Sequence, residues 1–519
     1  MTAQLAKQSL ISATLFTVGG NVLGRFFGFL REAVFASYLG TSAIFDTFLL
    51  AFTLPELVAM VLFQALPVAL IPSAADASRD KERESSLFWS GLLWFALVFA
   101  GISAIIYFAR VPIFHLLASE LTGERAAVGQ HLLALLAPYV FFRGMEAYFR
   151  SWCFAKKHFV APATSNIIIN SGVMIAVVFF FDRIGIDTLA YGWLAGSFVL
   201  MLYNGLSALR LVQPSMRIGQ SGHLMTALWR GLLAVAVVES ISMIYPMIDR
   251  YFAAEYLGPG PISALRYATT LISIPSGIFV AAFNVASFPW IAELTSAGDH
   301  DRLRKLYINS VRLLIYGMAL ASVGIALFAH DIVRAAFQRG AFDAESLVLT
   351  TAPLALYALG LIFEAVYTFQ LRFYYVKRLY LRIGIVLVFM LLVKIVLSRL
   401  LIGTMEHHGL ALATSVARMV GFAVLTVDLA RSLNVKHSDL FGRFLWPCVV
   451  SLVITSLVWV GFVYVWPSTD MQSLWLVFVR LIIAAVIGIG VYLGVGTMLN
   501  MAEPRAMAEA IRARMRPSA

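Results

Sequence analysis

Leu474-Trp-Leu-Val-Phe-Val-Arg480-Leu-Ile-Ile-Ala-Ala-Val-Ile-Gly-Ile-Gly-Val-Tyr-Leu-Gly-Val-Gly-Thr-Met-Leu499 is an apolar run broken by one charge. A helix rises about 1.5 Å per residue and the bilayer hydrocarbon is about 30 Å thick, so a run of this length crosses it. Ile383 to Val396, whose one charge is Lys394, has the same character. So does the chain as a whole, with 61% hydrophobic and 13% charged residues, against roughly 45–50% apolar content in a soluble domain. The sequence therefore reads as an all-α polytopic membrane protein with no separate soluble domain. Its start, Met1 to Ser9, is short and polar with one lysine, Lys7, and no small-residue cleavage site, so no cleavable signal peptide is expected. Cys153 and Cys448 fall in or beside apolar segments far apart in sequence, which suits packing better than a disulfide framework.

Gly, Pro and charge clusters divide the chain into about 14 transmembrane helices. The first six spans, 10–39, 44–72, 86–109, 129–155, 158–181 and 187–211, form an N-terminal lobe over 1–218. The next six, 225–256, 260–294, 309–329, 347–375, 379–401 and 407–431, form a C-terminal lobe over 219–436. A helix pair, 444–466 and 474–499, fills 437–502, and 503–519 is a basic cytoplasmic tail. Phe35-Ala-Ser-Tyr38-Leu39-Gly40 is echoed by Phe252-Ala-Ala-Glu-Tyr256-Leu257-Gly258. An even number of spans separates the copies, so the two six-helix lobes are expected to be a parallel pseudo-repeat about the membrane normal.

Basic residues set the orientation, because Lys and Arg are retained on the cytoplasmic side. One set of alternate connections carries Arg79, Lys81, Arg83, Lys156, Lys157, Arg210, Arg217, Arg302, Arg304, Lys305, Lys377, Arg378, Arg431 and Lys436, together with the tail arginines Arg505, Arg512, Arg514 and Arg516. The opposite set offers Arg110, Arg125, Arg183, Arg334, Arg339 and Arg399. Both termini are thus expected in the cytoplasm. The same asymmetry accounts for the net charge of +11. Basic residues scattered through short loops do not make a nucleic-acid surface.

Charges inside spans are costly and mark candidate sites. Arg25, Arg31, Arg143, Arg150, Arg250, Arg266 and Arg418 all lie within predicted spans. Guanidinium stays protonated at membrane depth and binds phosphate oxygens in pairs, which suits a phosphorylated cargo. Ion pairing within the bundle is the alternative: Glu146 lies three residues after Arg143 and four before Arg150, so one helix face could neutralise itself. Arg250 directly follows Asp249, and the two side chains diverge. Asp46, Glu239, Asp249 and Glu364 are either partners for these arginines or carboxylates for a coupling proton or sodium ion. Lys394 and Arg480 lie near outer span ends and read as snorkelling anchors. Gly24 and Gly28 are spaced for close helix packing. His407-His408 lacks a nearby acid-cysteine set, and no Walker-type loop occurs, so neither a metal, a cofactor nor an ATPase engine is expected.

Several of these stretches also resemble the MurJ/MviN family of lipid flippases. They are Arg25-Phe-Phe-Gly-Phe-Leu-Arg31-Glu, Phe35 to Gly40, Asp46-Thr-Phe-Leu-Leu-Ala-Phe-Thr-Leu-Pro55, Pro138-Tyr139, Phe159-Val-Ala-Pro162 with Asn170, and Tyr267-Ala268 with Ile274-Pro275-Ser276-Gly277-Ile278-Phe279. Gly360-Leu361, Phe373-Tyr374 and Gly409 to Thr414 extend the likeness through most of the chain. The resemblance implies two lobes that open alternately, an added helix pair, and substrate-binding roles for Arg25, Arg31 and Asp46. It implies an undecaprenyl-diphosphate-linked glycan as cargo, moved from the inner to the outer leaflet of a bacterial cytoplasmic (inner) membrane.

The chain departs from the family at some positions. Val58, Ala59 and Met60 stand where an arginine pair is usual, Phe63, Gln64 and Ala65 where an acid-glycine pair follows, and Thr269-Thr270 where an acid-arginine pair follows Tyr267-Ala268. Arg266, one turn before Thr270, is a candidate replacement. Two cargoes stay open at this point, the peptidoglycan precursor lipid II and an exopolysaccharide repeat unit. Membrane lipids are the other expected contact, with a glycan polymerase or glycosyltransferases as protein partners. The rival transporter reading is a MATE-like ion-coupled antiporter of small molecules, which calls for an acid-dominated cavity. An enzyme such as a polytopic glycan polymerase calls for a large outer loop, and the longest outer connections here are about 110–128 and 330–346.

Overall fold

The computed structural model describes residues 2–78, 80–212, 222–468 and 473–505. Arg79, Arg217, Arg512, Arg514 and Arg516 lie outside the described residues. Among the described residues the secondary structure is helical throughout. Among the described residues ten helices are long and apolar enough to cross a membrane, or eleven if one bent pair is a single span. The all-α polytopic class expected from composition is therefore the observed one. Their outer faces carry large apolar side chains in the open, among them Phe108, Trp446, Tyr464 and Trp475, as surfaces solvated by lipid do.

Helices and their contacts group into two compact units, Met1–Ser263 with Arg339–Phe342, and Ala264–Gln338 with Asp343–Ala519. The first unit holds α1 (Thr2–Leu39), α2 (Ala43–Ala77), α3 (Lys81–Phe108), the short α4 (Arg110–Leu117), α5 (Gly123–Ala155), α6 (Val160–Ile184), α7 (Asp187–Leu209) and α8 (Gly222–Tyr256). The α2 helix is central, flanked by α5 and α8, while α6 packs between α1 and α7. Its start is fixed by Ser42, whose side chain accepts the Phe45 N–H. Gly24 lets α1 lie against α6, since a Cβ there would come within 2.7 Å of the Asn166 Cβ. Of the two glycines spaced for packing, Gly24 serves a close approach, while Gly28 has ordinary room, with Asn170 Nδ2 3.6 Å from such a Cβ. The core between α2, α3 and α5 is built on Leu66, Phe88, Phe95, Tyr148 and Trp152. Tyr148 spends its hydroxyl on the Phe88 carbonyl at 2.6 Å, so a buried phenol is satisfied.

The second unit is built from interrupted helices. It begins within α9 (Pro261–Pro275), which passes through a π-helical turn, Ser276–Val280, into α10 (Ala281–Ala297). Next come α11 (His300–Leu327) and the short α12 (Ala329–Phe337), then α13 (Ala344–Leu359) and α14 (Leu361–Val376), which are bent by 47° at Gly360. The long α15 (Tyr380–Ser432) is two helices joined at Glu406, whose φ of 50° is non-helical. The final pair is α16 (Arg443–Val465) and α17 (Leu474–Met498).

Polar groups inside apolar packing fasten that pair. Tyr316 of α11 and Tyr492 of α17 stack at 4.3 Å, and each donates its hydroxyl to the other's carbonyl, at 2.9 and 3.1 Å. The Trp459 indole donates to the Ala484 carbonyl at 2.7 Å, and its ring fills the space that a Cβ at Gly488 would occupy.

Candidate functional site

Arginines placed inside the spans meet different partners in the two units. In the first unit, Arg31 of α1 donates to Asn170 Oδ1 at 2.8 Å, pairs with Glu32, and lies over the Trp193 ring at 4.9 Å. Asn170 in turn donates to the Asn166 and Gly24 carbonyls, so Arg31 is held by the α1–α6 contact that Gly24 makes possible. Arg250 of α8 reaches α2, donating to Glu56 at 2.9 Å and to Thr53 at 3.0 Å. Its neighbour Asp249 is buried, and Glu239 is half-buried on the same helix.

Asp46 sits in the first turn of α2, ahead of the Thr53 and Glu56 contacts of Arg250, and is 1% exposed. Its carboxylate accepts the Gly260 N–H at 2.6 Å and the Ser263 N–H at 2.8 Å. These are donors at the start of α9, where helix geometry leaves N–H groups without intrahelical partners. The sequence indicated a buried acid at this position but not its partners, which are backbone groups with no residue-type signature.

The α5 helix presents two arginines to one aromatic ring. Arg143 donates to Glu146 Oε2 at 3.1 Å, the i to i+3 pairing legible in the sequence, and Glu146 Oε1 accepts from Asn204. Arg143 lies 5.3 Å from the Phe63 centroid and Arg150 lies 3.5 Å from it. Phe154 flanks Arg150 at 5.0 Å. Arg150 has no acid within ion-pair distance among the described residues, and its Nε and Nη1 are buried without a hydrogen-bond partner. Arg143 Nε is in the same condition. In the sequence Phe63 stands out only as a departure from a family pattern. The structure makes it the surface on which both guanidinium groups rest.

In the second unit Arg418 of α15 pairs with Glu364 of α14 at 3.0 Å, and Ser276 of the π-helical turn donates to the other Glu364 oxygen at 3.4 Å. Glu364 therefore links α14 both to α15 and to the π-helical turn. Arg266 is half-buried on α9, where its carbonyl accepts the Thr269 and Thr270 hydroxyls. Arg25 is exposed on α1.

One expectation is corrected. Arg480 is 1% exposed and does not snorkel; it pairs with Asp331 of α12 and donates from Nε to the Trp466 carbonyl at 2.8 Å. Ser468 also donates to Asp331. Lys394 is likewise fully buried. The physical reason is that Asp331 of α12 falls within the connection 330–346, where the sequence gives no sign that an acid faces a charge inside a span.

Interrupted helices, a lipid-facing exterior and buried cations in both units define a polytopic transporter-like helical bundle. Solved structures agree on the fold. One titled "Lipid II flippase MurJ, inward closed conformation" superposes with a TM-score of 0.78 over 93% of this chain and 98% of its own, at 21% identity. A multidrug resistance MATE family transporter of the MOP superfamily, in an inward-facing conformation, gives 0.65 over 79% of this chain and 94% of its own, at 13% identity. Among curated sequences, a Rhizobium tropici protein named "Probable lipid II flippase MurJ" is 28% identical over 440 residues, 80% of each chain. The family profile described as "Lipid II flippase MurJ" matches residues 35–485, and the chain belongs to that family.

Proposed function

We propose that this protein is a flippase that carries a polyprenyl-diphosphate-linked saccharide from the inner to the outer leaflet of the bacterial inner membrane, with lipid II the first candidate. The observation that carries this reading is the likeness to the Rhizobium tropici relative, which spans 80% of both chains. The buried guanidinium groups of the first unit support it, because a diphosphate crosses oil only where cations replace its water. An exopolysaccharide repeat unit is the second cargo of the same chemistry, and the substitutions at Val58 to Met60 and Phe63 to Ala65 favour testing it alongside. The antiporter reading has less behind it, since the MATE likeness is one of fold at 13% identity.

In this reading fourteen spans make two six-helix lobes, 1–218 and 219–436, a helix pair over 437–502 and a tail over 503–519, with both termini cytoplasmic. The proposed count adds α1 and the broken α9–α10 helix, and takes α15 as two spans divided at Glu406. Arg25, Arg31, Arg143, Arg150, Arg250, Arg266 and Arg418 are the proposed cargo contacts, with Asp46 fixing the start of α9. Glu239, Asp249 and Glu364 are the proposed ion-coupling acids, drawing on about 2.3 kcal/mol per charge per 100 mV of membrane potential. Glycan polymerases or glycosyltransferases are the expected neighbours in the pathway, and no bond chemistry is assigned to the protein itself.

Proteoliposomes holding the full chain and labelled lipid II, or a labelled undecaprenyl-diphosphate oligosaccharide, test this directly. Translocation of either above protein-free vesicles is the expected result. No movement of either, with a potential and an ion gradient imposed, ends the proposal.

A further inference from the structure

We infer that Arg143, Phe63 and Arg150 form a phosphoryl-anion site, and that its ligand is the diphosphate of the cargo. The inference rests on the flippase reading for the identity of the ligand, but the site stands on its own geometry. Two guanidinium groups lie within 5.3 Å of one ring centroid. Glu146 is the acid paired with Arg143, and its second oxygen already serves Asn204. The cluster therefore keeps a surplus positive charge.

The donor count points the same way. Arg143 Nε and Arg150 Nε and Nη1 are buried and have no acceptor among the described residues. Leaving a buried donor unmade costs about 1–3 kcal/mol, more when it is charged. Native proteins retain few such groups, and a site that binds an acceptor-rich ligand is one setting in which they persist. Phe63 holds the guanidinium planes without consuming their N–H groups, because the attraction is to the ring face. An acid in its place would quench them. What fits is a ligand with several charged oxygens and no donors of its own, and a diphosphate has that composition. Arginine's planar fork matches such oxygens two at a time.

The site lies five residues before Ala155, the last residue of α5, and is followed by the basic pair Lys156 and Lys157. By the loop-charge rule that is the cytoplasmic end. Cargo made in the cytoplasmic leaflet would meet it on entry, so the site serves loading.

The test uses the full chain in lipid nanodiscs and three probes: undecaprenyl diphosphate, inorganic diphosphate, and undecaprenol. The parent protein is expected to bind both phosphorylated probes, with affinity falling as salt rises, and not the alcohol. A preference for the lipid form would assign the site to the carrier headgroup, and equal binding to the free anion class. Arg150→Gln is expected to weaken both by about tenfold or more, the scale of one charged hydrogen bond. Arg150→Lys is expected to recover part of the loss, and Phe63→Leu to weaken binding without removing a charge. Thermal unfolding of each variant verifies folding, and Phe63→Leu carries the test if Arg150→Gln does not fold. Binding unchanged in Arg150→Gln and Phe63→Leu, or absent in the parent, overturns the site and leaves the buried donors to water. If Arg150→Gln loses binding while parent vesicles move no lipid-linked glycan, the site stands and the transport reading falls. If vesicles transport equally well with Arg150→Gln, the site falls and transport stands.

Discussion

Arg480 in the second unit and Arg150 in the first are both arginines of apolar helices, yet their surroundings differ in kind. Arg480 meets the buried carboxylate of Asp331, which also accepts from Ser468, with Phe328 and Phe462 beside it. Arg150 meets the rings of Phe63 and Phe154 and no acid among the described residues. The first arrangement satisfies the charge internally and fixes two helices. The second keeps the charge available. Burial of an arginine in a membrane helix therefore does not by itself mark a cargo contact; the absence of a neutralising partner is the sharper sign.

The largest expected effect follows from removing one member of the satisfied pair. Asp331→Ala strands Arg480 without its counter-charge, and should lower stability by about 3–5 kcal/mol. Replacing both, as Asp331→Leu with Arg480→Met, should recover most of that loss because apolar groups of similar volume need no partner. Arg150→Met is the contrasting case: stability should hold within about 1 kcal/mol, since the donors removed make no bond to lose. Unfolding midpoints in one detergent compare all of them. If Arg150→Met proved as damaging as Asp331→Ala, the distinction between the two environments would be wrong.

Partners close in the chain are legible in the sequence, and remote ones are not. Arg143 and Glu146 are one turn apart, and their pairing was legible from spacing alone. Gly24 is legible as a packing position from its local spacing to Gly28, although the α6 residue it packs against, Asn166, is remote in the chain. Arg480 and Asp331 are 149 residues apart, and Arg250 and Glu56 are 194 apart. No local pattern links residues at that distance, and the acid on α12 was hidden in a segment counted as loop. The break of α15 at Glu406 falls between the spans expected at 379–401 and 407–431. The bend at Gly360 falls inside the span expected at 347–375, since glycine in an apolar run does not by itself reveal whether the helix breaks there.

A second comparison concerns two aspartates that take up N–H groups at helix starts. Asp46 is buried and uses both carboxylate oxygens, on Gly260 and Ser263. Asp46→Asn leaves one acceptor oxygen and no charge, so one of the two bonds is lost; a cost of about 1.5–3 kcal/mol is expected. Hydrogen exchange at the Gly260 and Ser263 amides would locate it. Protection there equal to the parent protein would show that the carboxylate is not what holds the α8–α9 connection, and would return Asp46 to the list of cargo contacts.

The smallest effect belongs to Asp343, which does the same work in the open. It caps α13 by accepting the Ser346 N–H at 2.8 Å, and that bond holds its carboxyl below the ordinary value. Because the folded-state value is the lower one, the stabilisation is present above the unfolded value of about 3.9 and is lost as pH falls through the folded one. Asp343→Ala should cost about 0.5–1 kcal/mol, near the lower end for a helix cap because the side chain is solvated. The difference between variant and parent should be constant from neutral pH down to about 4.5 and shrink below it. An Asp46→Asn difference that shrank over the same acidic interval by the same amount would mean that burial does not separate the two aspartates, and that the backbone donors alone set their strength.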